Sequence, residues 1–164
     1  MLMTFDDDLD FSRSAELMIR DMLKVSGWAD TELNDSTDYA ELKAYDLHNS
    51  EFTCEVKHDR RAKETGNIFI EVKCNELPSG VESTAADYWV FVIHEGAWAI
   101  PVPELRTAMK ECESEGTTRS MAGDGGRVTG ITFPVDWMKK HFSKIIRADK
   151  SFSPKVVHSI FSNQ

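Results

Sequence analysis

The chain has 164 residues, of which 41% are hydrophobic and 29% are charged, and these values predict one globular domain over residues 1–164 with a single hydrophobic core. No apolar run approaches the ~20 residues of a membrane-spanning helix, so no membrane partner is expected. The formal net charge of −9 disfavours nucleic-acid binding, because neutralising phosphates requires Lys and Arg. It is not decisive, since acidic residues dominate the first fifty positions whereas segments 57–63 and 139–155 are basic.

The cysteine content fits a reducing compartment, and the N-terminal sequence predicts no secretion. The N-terminal segment MLMTFDDDLDF is acidic and lacks the basic region and apolar stretch of a secretory signal. Three cysteines without a CxxC spacing favour neither a disulfide scaffold nor a zinc site. We therefore expect a cytoplasmic protein.

The first predicted element is a helix over residues 12–26, where apolar side chains recur every three or four positions and Gly27 follows as a stop signal. Residues 29–38 read as a polar loop. Alternating or apolar runs then predict strands at 39–49, 51–57, 67–73, 86–93, 97–102 and 131–135.

The run at 86–93 is almost entirely apolar, which is typical of a central buried strand. Two further helices are predicted over 103–114 and 135–146, and a flexible glycine-rich loop over 123–130. That loop matches neither phosphate-binding glycine pattern, so no nucleotide cofactor is expected. The order of elements predicts an α/β, or mixed α+β, fold with a mixed central sheet flanked by helices.

The tripeptide Glu-Val-Lys occurs twice, and the first copy has an acidic partner. Glu55 and Lys57 are two apart on a predicted strand and share one face. A turn at Asn49–Ser50 would bring Asp46 across the hairpin to within ~5 Å of the Glu55 region. Two carboxylates at that range repel each other unless a cation lies between them, and their hard oxygens suit Mg²⁺ or Mn²⁺.

This arrangement resembles the PD-(D/E)xK nuclease superfamily, in which a helix with an acidic residue precedes a strand ending in Asp, a turn and a strand carrying (D/E)xK. Here the order is SAELMIRDML, ELKAYDL and FTCEVK. The resemblance spans residues 16–71, and KETGNIFIEVK, PSG and ADYWVFV are similar to small phage-type members, which include Holliday-junction resolvases. One departure is that Tyr45, not proline, precedes Asp46.

The resemblance implies a restriction-endonuclease-like sheet and a divalent-metal-dependent DNA endonuclease of a prokaryotic or phage-infected cell. Asp46, Glu55 and the carbonyl of Val56 would hold Mg²⁺ or Mn²⁺, and Lys57 would act on the attacking water. Glu16 would complete or orient this catalytic set.

The second copy, Glu71-Val72-Lys73, is the rival site. Its upstream acid would be Asp59, which lies in a charged loop rather than at a strand end and is harder to hold in register. The first copy is therefore preferred, with Glu71 as an accessory acid.

The basic loop after Lys57 predicts DNA contacts from Arg60, Arg61, Lys63 and Asn67. The same residues could instead form a solvated charged loop, and Thr65 with Asn67 could merely shape a turn. His58 alternates to the opposite face of the strand and is not expected at the site.

Two alternatives stay open at this point. Glu55 and Lys57 could be the solvated face of an ordinary strand. The chain could also be a catalytically inactive nuclease-like module that binds DNA or protein, a reading favoured by the −9 charge. For the enzyme, a homodimer would supply the surface needed to hold branched DNA and would present two active sites.

Overall fold

The computed structural model describes the backbone of residues 5–123 and 126–162 and the side chains of 11–121 and 126–162. The helices in this part of the chain are α1 Phe5–Val25, α2 Tyr39–Leu42, α3 Ala62–Thr65, α4 Val102–Glu111, α5 Val135–His141 and α6 Pro154–Phe161. The strands are β1 Glu32–Leu33, β2 Leu47–His48, β3 Thr53–His58, β4 Asn67–Cys74, β5 Leu77–Pro78, β6 Tyr88–Ile93, β7 Gly96–Pro101, β8 Thr117–Gly123, β9 Gly126–Pro134 and β10 Ser143–Arg147.

The larger sheet has six strands in the order β1-β2-β3-β6-β7-β10. Strands β3 and β6 run parallel and every other pair is antiparallel. A parallel pair needs a long crossover, and residues 59–87 form it. All six residues of β6 are buried, which confirms the prediction of a central apolar strand. The predicted mixed α/β class is confirmed.

The two faces of this sheet are covered differently. Alternate residues of β6 point to opposite faces. Val90 and Val92 pack against α1 and α6, through residues such as Ile19 and Phe161. On the other face the apolar side chains of β6 and β7 pack against the second sheet, α4 and α5.

The second sheet, of four strands in the order β5-β4-β9-β8, was not expected. The predicted strand at residues 67–73 is present. It pairs with β9 and lies in this second sheet rather than in the larger one. Ile68 and Ile70 of β4 and Phe133 of β9 are fully buried against the larger sheet. Local alternation predicts a strand, whereas the choice of partner depends on distant residues.

The prediction of a strand over 39–49 is wrong for its first half. The Asp38 side chain accepts hydrogen bonds from the N–H groups of Ala40 (2.9 Å) and Glu41 (3.1 Å) and starts the short helix α2. Only Leu47 and His48 pair as a strand. The turn at Asn49–Ser50 is confirmed, because the Asn49 N–H bonds to the Phe52 carbonyl at 3.0 Å.

The C-terminal third also differs from expectation. The predicted glycine-rich loop 123–130 is largely strand, with β8 and β9 forming a hairpin, and its residues Asp124 and Gly125 lie outside the described part. The helix predicted over 135–146 ends at His141, and the chain then forms β10 against β7. Strand β8 and helix α6 were not predicted.

No helix in the described ranges combines the length and the apolar character needed to cross a bilayer.

Candidate active site

The position of Asp46 is set by the edge of β3. Strand β2 is only two residues long, and the ladder continues through the Asp46 N–H, which bonds to the Cys54 carbonyl at 2.9 Å. The Asp46 carboxylate then takes the place of the next ladder acceptor, with Oδ2 accepting from the Val56 N–H at 2.7 Å. The N–H and C=O of one strand residue point the same way, so the Val56 carbonyl faces this edge too.

Glu55 and Lys57 project together from β3, as the period of a strand requires. Their register partners on β6 are Trp89 and Phe91, whose side chains lie in the core between the two sheets. Lys57 Nζ lies 2.6 Å from Glu55 Oε1 and 5.5 Å from the centroid of the Trp89 ring. The Glu55 side chain is 12% exposed and that of Lys57 is 42% exposed. The interpretation of this pair as an ordinary solvated strand face is therefore wrong for Glu55.

Helix α1 contributes Glu16 from the other side of β3. Its buried residues, among them Ala15 and Ile19, pack on the sheet and fix the helix across β3. The Glu16 carboxylate bonds to Arg13 at 3.3 Å, and Arg13 also reaches Asp35 at 3.3 Å. Arg13 was not predicted, although its spacing of three from Glu16 on a helix is a recognisable ion-pair signal.

Burial and mutual repulsion disfavour the charged forms of these acids. Burial, together with the charges of Asp46 and Glu16, raises the pKa of Glu55 to about 7, even though Lys57 opposes the shift. Burial raises the pKa of Asp46 against the effects of Lys57 and the Val56 N–H. Burial and the charge of Asp46 raise the pKa of Glu16. Burial alone would lower the pKa of Lys57, but the surrounding carboxylates, Glu55 first, raise it.

The donors at this centre are of the kind that hard divalent ions prefer. Asp46, Glu55 and the Val56 carbonyl offer oxygens only, and the carboxylates are desolvated with their charge incompletely balanced. Within the described residues, no three His, Cys, Asp or Glu side chains form a complete ligand set. Mg²⁺ and Mn²⁺ commonly take one or two carboxylates and fill their other positions with water and phosphate oxygens, so the oxygen donors present here suit these ions.

A cavity of about 770 Å³ opens at this centre. Glu16, Asp46, Val56 and Lys57 form part of its lining, whereas the Glu55 carboxylate is bonded to Lys57 and does not line it. The predicted DNA-contact residues Arg60, Arg61 and Asn67 also line it, together with Thr65. Lys63 is exposed on α3 and does not line it.

The prediction that His58 lies away from the site is wrong. His58 lies at the last position of β3 and lines the same cavity as Lys57. Its Nδ1 is 3.4 Å from the Phe11 carbonyl. The Arg60 guanidinium carbon lies over the Phe11 ring, 4.0 Å from the ring centroid. The register partner Val92 and the Phe11 contact place His58 on the α1 face of β3, opposite Lys57, so alternation holds and the cavity borders both faces at the end of the strand.

The rival Glu-Val-Lys copy lacks an available acidic partner. Asp59 accepts backbone hydrogen bonds from Arg61, Ala62 and Phe69, at 3.0–3.1 Å, and so holds the loop that connects β3 to β4. Glu71 accepts a hydrogen bond from the Ser79 hydroxyl. Its charge contributes to the raised pKa of Lys57, so the two side chains are within electrostatic reach.

Thr65 and Asn67 shape the turn between α3 and β4. The Thr65 hydroxyl donates to the Arg61 carbonyl at 3.0 Å, and the Asn67 amide donates to the Thr65 carbonyl at 3.0 Å. Their cavity-facing positions remain compatible with a ligand contact.

Sequence reasoning missed the contribution of the second sheet to the cavity. Arg119 and Met121 of β8 and Thr132 of β9 line it opposite α1. They follow Lys57 by more than sixty positions, and no local pattern links them to it. The segment TTRSMAG that carries Arg119 has no alternation of apolar and polar residues, so the sequence offers no periodic signal for this strand.

Comparisons with family models, with curated proteins and with solved structures give no match. The functional argument therefore depends on the geometry of the site and on the residues that form it.

The pH dependence of stability provides a test of the site electrostatics. The pKa of Glu55 is about 7 in the folded protein against an ordinary value of 4.5, so the folded state retains a proton between these two pH values. Stabilisation by that proton is complete below about pH 4.5 and is lost as the pH rises through about 7. Relative to Glu55→Gln, the metal-free wild type should lose on the order of 2 kcal/mol of stability between about pH 5 and about pH 8.

Thermal unfolding of both proteins in EDTA across this pH range measures the difference. Parallel stability curves would contradict the shifted pKa. Glu51→Gln, at an exposed acid before β3, is the control and should leave the curve unchanged.

Proposed function

We propose that the protein is a divalent-metal-dependent DNA endonuclease of the PD-(D/E)xK type. The observation that carries the proposal is the Asp46–Val56 hydrogen bond, because it holds one carboxylate on the edge of the strand that carries the Glu55–Lys57 pair. A purely structural acid would need no neighbouring acid there. Burying Asp46 and Glu55 together costs free energy, and such costs are usually found at functional sites.

In the proposed hydrolysis of a phosphodiester, the acidic centre and the basic residues of the cavity have different roles. Asp46, Glu55 and the Val56 carbonyl would hold the metal ion. The chemistry that a bound divalent ion supplies is neutralisation of phosphate charge and a lower pKa for a coordinated water. Lys57 Nζ, anchored by Glu55, donates hydrogen bonds that orient the water and offset charge on the scissile phosphate. Arg60 and Arg61 contact flanking phosphates.

The proposed substrate is branched or otherwise irregular DNA, and the proposed active form is a homodimer. The basic lining of the cavity is small beside the −9 charge of the chain, so one copy offers limited surface for a multi-stranded junction. Two copies related by a twofold axis would double that surface and place two centres on opposing strands. A monomeric mass at concentrations where DNA is cleaved would contradict the dimer.

The test is cleavage of plasmid and four-way-junction DNA with Mg²⁺ or Mn²⁺, with EDTA as the blank. Wild type should cleave, and Lys57→Ala should be slower by on the order of 10²-fold or more. Lys73→Ala is the matched control, because it alters the same tripeptide in the copy that lacks a partner acid, and it should cleave like wild type. Equal rates for all three proteins would exclude the proposed centre.

The alternative is a catalytically inactive nuclease-like module that binds DNA or protein without cutting DNA; the −9 charge favours it over an active nuclease. Under this alternative, junction DNA would bind equally well in EDTA and in Mg²⁺ and remain intact, and Lys57→Ala would change neither result.

A further inference from the structure

The outer face of the second sheet forms the wall of the cavity opposite α1. In the ladder, Phe69 faces Thr132, Thr132 faces Thr117, and Arg119 lies two residues further along β8. Alternation places all four on one face of the sheet. The neighbouring residues Ile68 and Phe133 point the other way and are fully buried in the core between the sheets, although Ile68 also borders the cavity.

Gly130 determines how Phe69 lies on this face. It is the register partner of Arg119 on one side and of Glu71 on the other. A Cβ at Gly130 would lie 2.3 Å from Phe69 Cζ and 2.6 Å from the Ile70 carbonyl oxygen, so the Phe69 ring occupies the space above the bare backbone of β9. The ring therefore rests on the sheet beside the row of Arg119, half-buried and facing the cavity.

A guanidinium and an aromatic ring that line the same cavity suit one class of ligand. Arg binds phosphate through several N–H groups, and an aromatic ring stacks on a base. In a duplex the faces of the bases are covered by their neighbours, so only an unpaired base can stack on a ring in the wall of a cavity. Glu71 lies in the same row, two strands and roughly 10 Å from Arg119, and accepts a hydrogen bond from Ser79. Because its carboxylate repels phosphate, phosphate binding is limited to the Arg119 end.

We propose that this face, through Arg119 and Phe69, binds an unpaired DNA strand next to the acidic centre. Arg119 contacts a backbone phosphate and Phe69 stacks on an unpaired base, so the substrate is DNA with a single-stranded segment. Both are positioning residues and take no part in the chemistry. The inference rests on the proposed function for its ligand, DNA, and for the role of that strand as part of the substrate.

Binding in EDTA tests the inference without cleavage. Fluorescence anisotropy would compare a labelled single strand, the matching duplex and a four-way junction with an unpaired arm. Arg119→Gln should weaken binding of all three by about 10-fold and reduce the slope of log affinity against log salt by about 1. Arg127→Gln, exposed on the same hairpin but outside the cavity lining, should behave like wild type.

Phe69→Leu separates stacking from folding, because leucine still covers Gly130 but has no aromatic face. It should weaken binding of the single strand and the junction by about 10-fold and leave duplex binding within about twofold of wild type. Phe69→Tyr should restore the affinity. Equal loss on duplex and single strand for Phe69→Leu, or no loss for Phe69→Leu or for Arg119→Gln, would overturn the inference.

Cleavage in Mg²⁺ is measured separately, so the two proposals fail independently. If wild type cleaves while Arg119→Gln binds normally, the face is not the strand-binding wall and the endonuclease proposal stands. If Arg119 and Phe69 behave as expected but nothing is cleaved, the strand-binding face stands and the endonuclease proposal falls.

Discussion

Replacing Asp46 by asparagine is expected to abolish cleavage while making the metal-free protein harder to unfold. The amide retains an oxygen to accept the Val56 N–H but loses the charge that a metal ion requires. We expect cleavage to fall on the order of 10³-fold. Burial raises the pKa of Asp46, so its charge is unfavourable in the folded state, and removing it should stabilise the protein.

That gain should appear as a higher Tm in EDTA. Asp59→Asn is the matched control, because the Asp59 carboxylate accepts three backbone hydrogen bonds. The amide group cannot accept at both oxygen positions, so this variant should lose about 1–3 kcal/mol of stability. The interpretation of Asp46 as a functional acid would be wrong if Asp46→Asn were less stable than wild type and still cleaved DNA.

Replacing Gly96 by alanine is expected to have the largest effect on stability. Gly96 has a φ of +131°, which side chains rarely adopt, and its Cβ would lie 2.2 Å from the Ile146 carbonyl oxygen. That carbonyl belongs to β10, which pairs with β7 at Gly96, so neither backbone can move away without breaking the ladder. We expect a loss of at least ~3 kcal/mol, or a Tm lower by roughly 10 °C.

Gly66→Ala is the control for backbone strain alone. Gly66 has a φ of +69°, and a Cβ there would meet no heavy atom of the described residues within 4 Å. It should cost only about 1 kcal/mol, because alanine reaches this region at a modest penalty. Similar losses in the two variants, measured by thermal or urea unfolding, would contradict the role given to the close approach of β10.

The local parts of the site followed from the sequence because they depend on short-range geometry. Glu55 and Lys57 share a face since they are two apart on a strand. The tight turn before Phe52 brings that strand back alongside Asp46. The fold class and the buried central strand followed from the order and polarity of the elements.

The two predictions that failed at the site have separate physical causes. Helix α2 replaced the first half of a predicted strand because Asp38 caps it, and a cap of this kind overrides an alternating pattern. His58 alternates to the α1 face, opposite Lys57, but the cavity borders that face as well.

The sequence by itself determined the mixed α/β class, the Asp46–Glu55–Lys57 hairpin and the acidic helix before it, because each depends on residues close together in the chain. Only the tertiary structure decided that β4 leaves the larger sheet, that β8 and β9 form the opposite wall of the cavity, and that Arg119 and Phe69 face the acidic centre. The reason is physical: strand pairing between distant segments is chosen by the burial of side chains such as Ile68 and Phe133 against a sheet formed elsewhere in the chain.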